Sequence, residues 1–213
     1  NKLREYQIQE KREVERILWE LSQKLMPYTN SLHQNHYVLA RLDVVNAKAL
    51  YAHELKATEP IIDANNYVAL WQAWHPLLDR EKAVANDIIL GEEYQAIVIT
   101  GPNTGGKTIL LKTVGVIQLM AQIGLYIPAG ENSRVGVFTE IFADIGDEQS
   151  IEQNLSTFSS HMSNIVSILK QINDKSLVLI DEIGSGTDPQ EGSSLAIAIL
   201  DYIASKQSYV IAS

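Results

Sequence analysis

Two short stretches of the sequence carry residues whose types and spacing suit phosphate chemistry. Residues 101 to 108 run Gly101, Pro102, Asn103, Thr104, Gly105, Gly106, Lys107, Thr108, which fits Gly, any four residues, Gly, Lys, then Ser or Thr. Glycines let backbone N–H groups turn toward a phosphate, and the helix expected to follow adds the positive end of its dipole. Lys107 is expected to reach the β- and γ-phosphates of a nucleotide, and the Thr108 hydroxyl to bind Mg²⁺. The second stretch, Leu177 to Glu182, is an apolar run ending in two acids. Asp181 is expected to hold Mg²⁺ and Glu182 to polarise the attacking water. Adjacent carboxylates make sense there because the metal offsets their mutual repulsion.

The elements around these stretches are the ones such chemistry needs. Tyr94 to Thr100 reads as a buried strand leading into the glycine loop, and Ile109 to Ile123 as a helix leaving it, ended by Gly124. Ser176 to Ile180 is a second buried strand, Pro189 to Ser205 a helix, and Ser208 to Ala212 a third buried strand. Continuous apolar strands alternating with helices indicate an α/β fold, a mostly parallel sheet with helices on both faces. In the loop 184 to 191, Asp188 suits the N-cap, Pro189 position N1 and Glu191 the N3 partner of a capping box. Between the two chemical stretches, Phe158, Met162, Ile165, Leu169 and Ile172 recur at helix spacing, with Ser156 as N-cap. A serine-rich helix start is also suited to an anion. His161 sits at the rim of that helix with no assigned role.

Residues 1 to 58 read differently. Val14, Ile17, Leu18, Leu21 and Leu25 form one apolar stripe, Pro27 and Asn30 mark a break, and a second helix is expected from about Ser31 to Leu55. Two long helices joined by a short turn predict an antiparallel helical hairpin. The domain division expected is a helical segment over 1–58 and an α/β domain over 59–213.

Composition narrows the classes. The chain has 213 residues and no cysteine, which excludes disulfides, thiolate metal sites and cysteine nucleophiles. No apolar run is long enough to span a membrane and no leader opens the sequence, so a cytoplasmic address and no membrane partner are expected. The net charge of −9 argues against a basic face large enough to hold DNA unaided.

Taken together, the motifs resemble the MutS family of DNA-processing ATPases, P-loop NTPases of the ABC class whose ATPase domains dimerise head to tail. The stretches that carry the resemblance run from Thr100 to Thr108, from Leu155 to Phe158 (LSTF) and from Leu177 to Gly192 (LVLIDEIGSGTDPQEG). The segment from Ile141 to Met162 looks closest to the second bacterial branch, which lacks the mismatch-reading domain and carries a C-terminal Smr nuclease domain. The resemblance implies ATP as the nucleotide and Mg²⁺ as its metal. It places Gln149 where Mg²⁺ and the attacking water are sensed, Asn103 beside the nucleotide, and Ser156 against the γ-phosphate held by a second subunit. It gives His75 and Pro76 as the opening of the ATPase domain and the preceding helices as part of a lever and clamp.

Ala83 and Val84 stand where mismatch-repair members place an aromatic ring against adenine. The family's switch histidine and dimer-locking helices would follow Ser213, so a fragment is expected. The function implied is the ATP-hydrolysing core of a homodimeric clamp. It would act on branched DNA in suppressing recombination, or on stalled ribosomes, with an endonuclease in the missing tail. The alternative is a nucleotide-gated structural protein that organises DNA with little hydrolysis. A transporter motor fits less well, because NLSTF stands where such a motor has LSGGQ.

Overall fold

The computed structural model describes residues 2–102, 105–146 and 154–213, with the side chains of 154–158 excluded. The chain divides into two units, Asn1–Leu50 and Tyr51–Ser213.

The first unit consists of α1 (Lys2–Leu25), a 3₁₀ turn (Met26–Tyr28) and most of α2 (Thr29–Leu55). It is not the expected hairpin. Every residue from Lys2 to Ala47 is exposed, so neither helix covers the other's apolar stripe. The reason lies at Pro27. Leu25 and Thr29 both hold right-handed helical angles, and Pro27 occupies the first turn of the 3₁₀ segment between them. Proline is accommodated there because its fixed φ already suits a helical turn. The break therefore changes the helix type for three residues without turning the chain back. Arg16 bridges Glu13 and Glu20 along α1. That bridge holds Arg16 in its charged form and Glu13 below the usual carboxylate range, chiefly by hydrogen bonding.

The second unit holds two four-stranded sheets. One has the order β1 (Ile61–Asp63), β5 (Arg134–Gly136), β2 (Val68–Ala73), β3 (Asn86–Leu90). It is mixed, with β1 parallel to β5 and the β5–β2 and β2–β3 pairs antiparallel. The pattern of apolar strands and helices in the sequence does not reveal this sheet, because its strands are short and β3 is half exposed. The other sheet is wholly parallel, in the order β4 (Ala96–Val98), β8 (Tyr209–Ala212), β7 (Ser176–Ile180), β6 (Glu140–Asp144). Its helices are α3 (Lys107–Gln122), α4 (Asn154–Gln171) and α5 (Pro189–Ser205).

Period-two alternation sorts the parallel sheet's side chains between two cores. Leu177 and Leu179 of β7 join Tyr209 and Ile211 of β8 in one core with Leu111, Val114 and Ile117 of α3. Val178 and Ile180 join Val210 and Ala212 in the other, with Ile165 and Ile168 of α4 and Ile199 and Ile203 of α5. All five residues of β7 are buried, as a strand covered on both faces requires. The α3 core also takes in Val68, Leu70, Ile88, Leu90 and Val135, so one helix serves both sheets. Gln118 and Gln122 of α3 fix it polarly, donating to the carbonyls of Gly136 and Phe138. The last turn of α2 belongs to this unit, where Tyr51 and Leu55 pack against the same core.

Two boundaries moved from their expected places. The helix expected to be capped by Ser156 begins at Asn154, so residue 156 lies within its first turn. Asparagine and serine are both acceptable near a helix start, so residue type alone leaves the boundary uncertain by about two residues. The strand expected over Tyr94 to Thr100 pairs fully only over Ala96–Val98, with flanking bonds from Val210 N–H to the Gln95 carbonyl at 2.9 Å and from Ile99 N–H to the Ala212 carbonyl at 2.8 Å.

Leu179 is 1% exposed at the centre of the α3 core. Leu179→Ala is expected to lower the unfolding free energy by about 2–5 kcal/mol. Urea unfolding at equilibrium measures it, and a loss below about 1 kcal/mol would mean that β7 is less enclosed than described.

Candidate nucleotide-binding site

The glycine loop leaves β4 and enters α3 at Lys107. Gly106 stands at the helix N-cap with φ of 78°, a left-handed conformation that glycine adopts without cost. A Cβ placed on Gly101 or Gly106 would meet nothing within 4 Å among the described residues. The loop closes on itself through Gly105 N–H to the Pro102 carbonyl, 2.9 Å. Lys107 Nζ donates to the Gly101 carbonyl at 2.9 Å, so the ammonium is folded back over the loop. The start of α3 thus adjoins a glycine-lined opening with a lysine beside it, an arrangement suited to an anion.

The acidic residues meet this loop from β7. Asp181, 7% exposed, follows directly on the strand, and its Oδ2 accepts from the Thr108 hydroxyl at 2.5 Å. Its Oδ1 accepts from the Ser213 hydroxyl and from the Glu182 N–H at 3.1 Å. A hydroxyl and a carboxylate in contact form an all-oxygen donor set, which fits a hard divalent cation such as Mg²⁺ completed by phosphate and water. Glu182 is exposed and holds φ of 51°, rare for a residue with a Cβ. Its N–H is shared between Asp181 Oδ1 and Ser213 Oγ, the latter at 3.1 Å, which holds the peptide in that conformation. The turn that results separates the two acids. Asp181 stays under the loop while Glu182 reaches the surface.

Two cavities flank Lys107. One, of about 540 Å³, is lined by His75, Leu78, Ala83, Val84 and Asn86 together with the loop. The other, of about 440 Å³, is lined by Glu182, Gly184, Ser185, Pro189 and Gly192. The first suits a flat organic group with aliphatic sides, and the second opens at the exposed acid. Burial, then the nearby Lys112 charge, pushes the His75 imidazole below its ordinary pKa, which favours the neutral ring. Its Nδ1 accepts from the Leu77 N–H at 3.3 Å, leaving Nε2 to carry the hydrogen.

The structure thus brings together Gly101, Pro102, Gly105, Gly106, Lys107, Thr108, Asp181 and Glu182. Asn103, Thr104 and Gln149 lie outside the described residues, and the Ser156 side chain does too. Among the described residues no cluster of three or more His, Cys, Asp or Glu side chains is poised for a metal. No helix among them is long and apolar enough to cross a membrane. Sequence reasoning missed Ser213 and Asp144. Asp144 ends β6 as Asp181 ends β7, an acid closing an apolar run, and that signal could have found it. His161, given no role from sequence, contacts Asp144.

The loop after the acids is closed by glycine. Gly184 has φ of 80°, and a Cβ there would lie 2.3 Å from the Gly192 carbonyl oxygen. A Cβ on Gly192 would lie 2.2 Å from the Gly184 carbonyl oxygen. The expected cap is present, with Asp188 accepting from the Gln190 and Glu191 N–H groups at 2.9 and 3.4 Å and Pro189 opening α5. The Glu191 carboxylate accepts from the Thr187 hydroxyl at 3.2 Å.

Residues 97–212 match the family model described as MutS domain V. The chain is also 66% identical over 212 residues to "Endonuclease MutS2" of Ligilactobacillus salivarius, covering 100% of this chain and 27% of that protein. It is 64% identical over 212 residues to the protein of the same name in Enterococcus faecalis, again with 100% of this chain and 27% of the relative covered. The chain thus spans about a quarter of the length of these curated relatives.

Gly192→Ala is expected to destabilise the second unit by about 1–3 kcal/mol, because the new methyl meets backbone that cannot rotate away. Gly115→Ala is the contrast. Its Cβ would lie 2.8 Å from Leu179 Cδ1, the movable end of a side chain, and the helix gains alanine's higher propensity. Thermal unfolding of both variants should show the first clearly lowered and the second near wild type, and equal midpoints would contradict the close approach of Gly184 and Gly192.

Proposed function

The chain belongs to the MutS family, and on that footing we propose that it binds ATP with Mg²⁺ and hydrolyses it to drive a longer protein that acts on DNA. The observation that carries the reading is the meeting of the loop's Thr108 with Asp181, with Lys107 and Glu182 on the same cavity wall.

The residues divide the work by position. The loop N–H groups and the start of α3 hold the phosphates, and Lys107 exchanges its bond to Gly101 for oxygens of the β- and γ-phosphates. Thr108 and Asp181 would hold Mg²⁺, which when bound neutralises charge shared between those phosphates. Glu182, exposed beside the second cavity, orients a water and accepts its proton. His75, neutral and donating through Nε2, stands at the wall of the first cavity, where the base is placed against Ala83 and Val84. With aliphatic side chains at Ala83 and Val84 in place of an aromatic ring, the base is gripped there by aliphatic contact.

The family resemblance supports the rest. On it we read the fold as a P-loop NTPase of the ABC class and assign Gln149 to sensing the metal and water. Ser156, in the first turn of α4, would face the nucleotide of a second copy of the chain, so the working unit is a homodimer. The division of the chain into a helical segment over 1–58 and an ATPase domain over 59–213 belongs to the same reading. The relatives are named endonucleases, and we place that activity, with contacts to branched DNA or to a ribosome, in the parts of the protein beyond these 213 residues. A cytoplasmic address agrees with such targets.

Lys107→Ala should abolish measurable ATP binding by calorimetry, and unchanged affinity would remove the loop from the site. Glu182→Gln should keep ATP affinity while phosphate release falls by about 10²–10⁴-fold, because an amide keeps the shape but cannot take a proton. Wild-type turnover by that variant would reassign the base.

A further inference from the structure

Asp144 closes β6 beside the catalytic strand end, and all its polar capacity is directed. Its backbone carbonyl accepts from the Asp181 N–H at 2.9 Å. Its carboxylate, in a residue 6% exposed, accepts from two side chains of α4. These are Asn164 Nδ2 at 2.7 Å and His161 Nδ1 at 2.8 Å. The two donors lie three residues apart and so share one face of the helix. A buried carboxylate is costly unless it is paired and hydrogen-bonded, and here a single helix meets that demand.

The position of this contact along α4 is informative. Farther along, Ile165 and Ile168 of the helix and Ile172 just past its end join Val178 and Ile180 in an apolar cluster. Apolar surfaces fix distance but tolerate sliding, whereas charge-assisted hydrogen bonds fix register. Among the described residues, the directional bonds between α4 and the sheet come from its middle, at His161 and Asn164, where Asp144 of β6 stands opposite Ile180 at the end of β7.

We propose that Asp144 and His161 are positioning residues for ATP hydrolysis, locking the middle of α4 to the end of β6, whose Asp144 carbonyl holds the Asp181 N–H. The inference rests on the reading of the site as an ATPase. It assigns the pair no contact with nucleotide. A shift of α4 would alter how the helix start is presented to a nucleotide, so catalytic alignment would suffer while ATP still binds to the loop.

The test uses His161→Leu, His161→Asn and His161→Gln in the full-length protein, with steady-state ATP hydrolysis resolved into kcat and KM. The asparagine amide can occupy the place of Nδ1, the glutamine amide that of Nε2. The expected result for leucine is a kcat about tenfold lower with KM within about twofold. Asparagine should return kcat to within about twofold of wild type, and glutamine should not. Should the leucine variant fail to fold, the asparagine–glutamine pair decides alone. Wild-type kcat in both leucine and glutamine variants, equal losses in asparagine and glutamine, or a loss confined to KM would each overturn the proposal. Lys107→Ala, run alongside, separates the two readings. If it retains turnover, the ATPase assignment itself fails. If it is inactive while the His161 variants match wild type, only the positioning role is lost.

Discussion

The hydroxyl of Thr108 against the carboxylate of Asp181 is the contact on which the rest of the second unit depends. It joins the start of α3, which follows β4, to the end of β7, and these two strands are not neighbours. β8 lies between them. The contact forms only if β8 is inserted in parallel, if α3 begins within a residue of Lys107, and if β7 ends at Ile180. Each condition has its own physical cause. β8 is fully buried and is hydrogen-bonded on both sides. Gly106 turns the chain into α3. The buried run of β7 is stopped by two acids whose charge cannot continue into the core.

The parallel sheet and its helices were legible because each signal there is redundant. Ser176 to Ile180 and Pro189 to Ser205 were placed to the residue, the first by five consecutive residues able to be buried and the second by Asp188 and Pro189 together. The mixed sheet was not legible. β1 and β5 have three residues each, and their pairing partners lie about seventy positions apart, as Ile61 and Arg134 show. The linker at Pro27 was misread because proline marks a break in hydrogen bonding, not a direction for the chain. Motif residues of the site were found from type and order. Ser213 was not, since its importance comes from what lies across the sheet from it, which a linear pattern does not encode, and Asp144 was passed over although an acid closing an apolar run is a linear signal.

Backbone conformation at Glu182 shows how the site separates two like charges without moving them apart in sequence. The chain leaves β7 through a left-handed residue at Glu182, and one carboxylate remains buried while its neighbour is exposed. The strain is held by bonds to the Glu182 N–H and by Ile183 N–H to the Ser213 carbonyl, 2.9 Å, which extends the β7–β8 pairing past its end. The conformation is therefore imposed by the sheet and does not depend on what the side chain meets.

The backbone contact between Gly184 and Gly192 has a consequence for how this stretch can change over time. The two glycines close a ring that begins two residues after Glu182 and includes the first turn of α5. Side chains within the ring such as Ser185 and Gln190 are exposed, so their identities are open to drift. The number of residues in the ring is not. An insertion or deletion between the glycines would part the carbonyls that meet there and release the start of α5 from the acid. The loop's chemistry can thus diversify while its length is inherited unchanged.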